Sequence, residues 1–94
     1  MTETLAGRIV CSVSGHDSGR LYIVLRTEGR TAFLSDGRLR PKEKPKKKNI
    51  RHLKVLAQEA DGFCPGSVGD ARNEEIRRVL KKMANRLSTS IQEE

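Results

Sequence analysis

The side chains able to do chemistry are concentrated in one stretch. Between positions 38 and 54, nine basic residues (Arg38, Arg40, Lys42, Lys44, Lys46, Lys47, Lys48, Arg51 and Lys54) stand with a single acid, Glu43, so this segment alone carries +8. The whole 94-residue chain carries +7, which leaves the remainder at −1. A charge excess confined in this way is an interaction feature rather than a solubility device, and its chemistry is attraction of a polyanion such as nucleic acid or an anionic membrane. A solvated basic loop with no partner is the plainer alternative. Against it, Pro41 and Pro45 stiffen the run, Leu39 and Ile50 punctuate it with apolar anchors, and a strand-like segment at residues 52–56 follows at once.

Other chemistry finds little support. His16-Asp17 lies in a glycine-rich turn, where an exposed histidine suits a loop donor better than an acid–base pair, so no catalytic residue and no enzyme activity are expected. Cys11, His16, His52 and Cys64 lack the close-paired spacing of zinc ligands, and the 15–20 turn lacks the Gly-Lys-Ser/Thr ending of a phosphate-binding loop. Hence no metal and no cofactor are expected. His52, beside Leu53, reads as a structural histidine bonding a neighbouring loop. Two scattered cysteines do not make a disulfide framework, so a reducing, cytoplasmic setting is expected. The longest apolar run, residues 21–25, is far too short to cross a bilayer, and the N-terminus lacks the features of an export signal.

The elements that must position the basic segment follow from periodicity and turn chemistry. A mass of 10.5 kDa admits one small domain, and an aromatic content of 3% makes its core aliphatic. Residues 6–13 read as a β-branched strand ended by the turn formers of 14–19, and residues 20–27 as a second strand. The inner run of that second strand is apolar on both faces, which calls for a core on one side and a barrel curl or the C-terminal segment on the other. Residues 31–34 form a third strand, the Asp36-Gly37 signal leads a hairpin into a fourth near Leu39, and residues 52–56 make a fifth. Five short strands joined by short connections predict a mainly antiparallel, strongly bent small barrel over residues 1–56. Residues 57–69, with three glycines and a proline, read as a linker. Residues 70–89 read as an amphipathic helix with Asp70 as N-cap and Ile76, Val79, Leu80, Met83 and Leu87 on one face. That stripe suits packing on the barrel or self-association with a second copy better than a membrane surface, since Glu74 and Glu75 sit on the polar face.

Residues 7–25, Gly-Arg-Ile-Val-Cys-Ser-Val-Ser-Gly-His-Asp-Ser-Gly-Arg-Leu-Tyr-Ile-Val-Leu, resemble a KOW motif, two strands around a glycine-containing turn. Ser35-Asp36-Gly37-Arg38-Leu39-Arg40, the lysine run and Asn49-Ile50-Arg51-His52-Leu53 then look like the large-subunit ribosomal protein fourteen-e family in its short bacterial form. The resemblance covers residues 6–56. It implies an SH3-like five-stranded barrel and ribosomal or other structured RNA as ligand, with an association with the large ribosomal subunit or with translation. The C-terminal helix lies outside it.

On this reading RNA is held by Gly15, His16 and Arg20 of the KOW turn and by Arg38, Arg40, Lys42, Lys44, Lys46, Lys47, Lys48 and Arg51. The basic segment holds no aromatic residue, so recognition is expected through phosphates and shape rather than by stacking on single strands. The alternative function is a protein-interaction module in a transcription or translation complex, with the barrel as docking surface and the helix as contact element.

Overall fold

The computed structural model describes residues 5–16, 18–56 and 68–92, with residues 87–92 by backbone alone. Its strands are β1 (Ile9–Ser12), β2 (Leu21–Glu28), β3 (Thr31–Ser35), β4 (Lys46–Asn49) and β5 (Leu53–Val55), followed by one helix, α1 (Asn73–Gln92). All pair antiparallel in a single sheet of order β4-β3-β2-β1-β5.

This order forces curvature. Strands β4 and β5 are the two edges, yet only the 3-10 turn Ile50–His52 separates them in the chain. Flat five-stranded sheets set their edges about 19 Å apart, whereas the steps from Asn49 to Leu53 span roughly 15 Å even when fully extended. The sheet therefore curls, and side contacts follow the curl. The Lys48 ammonium on β4 donates to the carbonyl of Ser14 at 3.0 Å, and the Val13 N–H donates to the carbonyl of His52 at 2.9 Å.

Alternation along the strands sorts the core into two layers. Val10, Tyr22, Val24, Ala32 and Leu34 fill one face, with Leu5, Ile50 and Leu53 against them. On the other face Ile9 and Ile23 meet Val68, Ala71, Ile76, Leu80 and Met83. The apolar run at residues 21–25 thus serves two cores at once, as its double-sided pattern predicts, and α1 lies over β2. Full burial of each large aliphatic side chain contributes about 1.5–3 kcal/mol, so Ile76, Leu80 and Met83 fasten the helix to its own sheet. In this arrangement these three side chains are used within one chain rather than offered to a second copy; the side chain of Leu87 lies outside the described residues.

Several boundaries differ from expectation. The fourth strand is not near Leu39, which is 75% exposed, but in the lysine run itself. The backbone of β3 supplies its pairing (Phe33↔Lys47, Leu34↔Lys46), and an edge strand of lysines resists pairing with other chains. His52 belongs to the 3-10 turn rather than to the last strand, with its ring exposed. The helix begins at Asn73, not Asp70, because the Glu75 carboxylate accepts from the Arg72 N–H at 2.8 Å, the carboxylate half of a capping box. Most of the expected linker, with Cys64, lies outside the described residues; its end, Val68, is buried in a 3-10 turn.

Candidate nucleic-acid interface

The expected site residues fall into three groups held by different elements. The first is the loop between β3 and β4. Asp36 Oδ1 accepts from the N–H groups of Arg38 (2.8 Å) and Arg40 (2.9 Å), while the Ser35 hydroxyl donates to the Arg40 carbonyl at 2.8 Å. These bonds fold residues 35–40 into a tight knuckle that holds Arg38, Leu39 and Arg40 outward, all exposed. Behind the knuckle the loop is bolted to α1. Gly37 adopts φ +74, and a Cβ there would lie 2.5 Å from the Asn73 carbonyl oxygen, so only glycine permits this approach. The Arg77 guanidinium donates to the Gly37 carbonyl at 2.7 Å.

Lys42 and Glu43 complete that clamp. The Lys42 ammonium donates to the carbonyls of Gly69 (2.6 Å) and Ala71 (2.7 Å), and its backbone N–H donates to Asn73 Oδ1 at 2.9 Å. Asn73 Nδ2 in turn donates to Glu43 Oε1 at 3.0 Å. The hydrogen bond from Asn73 is the main reason that the Glu43 carboxyl lies below its ordinary value, assisted by a backbone hydrogen bond and the nearby Lys42 charge and opposed by desolvation. Lys42 is therefore committed to the fold, while Lys44 beyond it is exposed.

The second group is edge strand β4. Alternation separates the three consecutive lysines. Lys47 projects from the face of Phe33, whereas Lys46 and Lys48 pair with Leu34 and Ala32 on the opposite face and are half-buried. Phe33, itself only 5% exposed, is covered by Lys47 at 5.7 Å and by Arg26 at 3.9 Å from the ring centroid. Arg26 reaches that face through a β-bulge at Leu25, since the register passes from Val24↔Leu34 to Arg26↔Phe33. Without the extra residue Arg26 would fall on the core side. No sequence signal marks the bulge.

The third group is the β1–β2 turn. Gly15 and Gly19 adopt φ +81 and +93, a region that favours glycine, and His16 and Arg20 are exposed beside them. The bond from Lys48 to Ser14 brings this turn against β4, and the bond from Val13 to His52 sets Arg51 close by. Asn49 Oδ1 accepts from the Arg51 N–H at 2.9 Å and leaves the Arg51 side chain exposed. Cys11 is a half-buried free thiol on β1.

Sequence reasoning confined the positive charge to residues 38–54 and so missed the basic residues that α1 brings up to the knuckle. Arg38 shares a cleft with Arg77, Arg78 and Lys81. The polar spacing of those helix residues was legible, but their neighbour was not.

The molecule is thus a small antiparallel β domain with one helix clamped to it and cations presented from a loop, an edge strand and a turn. The chain matches no known family model, and a comparison with curated proteins finds no significant relative. Among the described residues, no helix is long and apolar enough to cross a membrane.

Proposed function

We propose that this chain is a non-catalytic RNA-binding protein of the KOW type, its curled sheet an SH3-like barrel, acting in the cytoplasm on ribosomal or other structured RNA in association with the large subunit or with translation. The observation that carries the reading is the display of the +8 segment. Arg38, Arg40, Lys44, Lys47 and Arg51 are all exposed, and the Gly15–Gly19 turn with His16 and Arg20 is tied to β4, the strand that carries Lys47, through the bond from Lys48 to Ser14. Guanidinium groups fork across phosphates and ammonium groups act as point charges, so these residues suit a folded RNA read by backbone and shape. Lys42 and Lys48 hold the elements that present the others, and Lys46, half-buried on β4, adds positive potential.

Two experiments test it. Purified protein is expected to bind an RNA hairpin, and changing Lys46, Lys47 and Lys48 together to Ala is expected to weaken binding to all hairpin sequences about equally; a changed sequence preference would mean that these lysines read bases. In sedimentation of a native lysate the protein is expected to travel with large ribosomal subunits, and its recovery only at the top of the gradient would remove the ribosomal part of the proposal.

A further inference from the structure

We infer that the cleft between the β3–β4 knuckle and α1 is a second RNA site that takes a single unstacked nucleotide, with phosphate on Arg38, Arg78 and Lys81 and the base on the apolar floor. This rests on the RNA-binding reading above and extends it to the helix. The cleft measures about 700 Å³ and is broadly open to solvent, so that a nucleotide within it would stay joined to a longer RNA outside.

Three features of its wall specify the occupant. Leu21, Leu80 and Ala84 give an apolar surface that a flat base can cover. Arg38 from the knuckle, with Arg78 and Lys81 one turn apart on α1, brings positive charge to the rim, while Arg77 is tied to the Gly37 carbonyl and fixes the width of the opening. Two carboxylates also line the cleft: Asp36, whose Oδ1 already accepts from the N–H groups of Arg38 and Arg40, and Glu74. A carboxylate in a cationic cleft opposes a bare phosphate or an acidic peptide. It is suited instead to accept hydrogen bonds from the exocyclic amino group of a base, whose phosphate meets the cations. An Arg guanidinium plane can stack on an unstacked base where no aromatic side chain is at hand. Arg38 belongs both to the knuckle of the first interface and to the wall of the cleft, so one RNA can reach both.

The probes are an RNA hairpin carrying a single-nucleotide cytidine bulge, the same hairpin with the bulge deleted, the same with a uridine bulge, and a poly-glutamate peptide. Wild-type protein is expected to bind the cytidine-bulged hairpin about tenfold more tightly than the unbulged one, through the added phosphate contacts and the burial of the base on the apolar floor. R78A with K81A is expected to weaken binding to the cytidine-bulged hairpin at least about fivefold more than binding to the unbulged one, so that the advantage of the bulge is lost. Circular dichroism reports whether the helix persists in this variant, since both positions are exposed and alanine favours helix. E74Q is expected to erase the preference for cytidine over uridine. Equal wild-type affinity for bulged and unbulged hairpins overturns the inference, as does an equal loss on both in the double variant. Poly-glutamate binding that is lost in R78A with K81A, with bulged-RNA binding intact, overturns it in favour of an acidic protein partner. Failure of the wild type to bind any of the hairpins instead removes the RNA-binding reading itself.

Discussion

Pro45 divides the basic run into two regions that use the same kind of residue differently. Before it, residues 36–44 form a knuckle and clamp in which Lys42 donates to two carbonyls, Glu43 accepts from Asn73, and Gly37 is pressed against the helix. After it, residues 46–49 form an edge strand whose lysines alternate between two faces. The comparison teaches that a run of positive charge is not a list of ligand contacts. Asking where each donor is already satisfied separates the cations that build the fold from those left to meet a partner.

The clamp breaks most sharply at Gly37. Gly37→Ala combines a positive φ with a Cβ against the Asn73 carbonyl, and is expected to cost about 3 kcal/mol in chemical denaturation. Next comes the exposed set. Changing Arg38, Arg40 and Arg51 together to Ala is expected to weaken hairpin RNA binding about thirtyfold at moderate salt and to make the salt dependence shallower by about 2–3 in log–log slope. Stability should change by less than about 0.5 kcal/mol per site, because surface positions outside packed networks tolerate substitution.

Lys42→Met sharpens the contrast from the other side. It retains the aliphatic stem and removes the ammonium, and is expected to cost about 1–1.5 kcal/mol of stability while RNA affinity falls less than about threefold. A large affinity loss with unchanged stability would place Lys42 among the ligand contacts. The smallest effect is at Glu43. Its carboxyl is held below the ordinary value chiefly by Asn73, so the contact adds stability above the ordinary carboxylate range and loses it as the pH falls toward the lowered folded-state value. An NMR titration of that carboxyl is expected to show the lowered midpoint, and Asn73→Ala is expected to return it toward normal.

Much of the framework was legible because it rests on local pattern. The β-branched strand read at residues 6–13, the strand read at 31–34, the two-faced apolar run at 21–25 and the helical stripe of Ile76, Leu80 and Met83 all supply buried side chains to the core. Strand β4 was not legible. Lysine has little preference for strands, and only pairing with β3 puts residues 46–49 there. The bulge at Leu25 and the late helix start, set by Glu75 rather than Asp70, are likewise decided by neighbours. The clamp joins residues 31 positions apart, as in the bond from Lys42 to Asn73, and no local motif announces it. For the site, the charge of residues 38–54 was plain, but the lysines committed to structure, Lys42 and Lys48, and the cations added from α1 emerge only when distant elements meet.

The most direct test of an interface built from exposed cations is a titration of hairpin RNA binding by the full chain across a range of salt concentrations. With about five phosphates neutralised, log affinity is expected to fall against log salt with a slope of roughly −3.5 to −4.5. Binding that does not change with salt, or no binding at low salt, would contradict it.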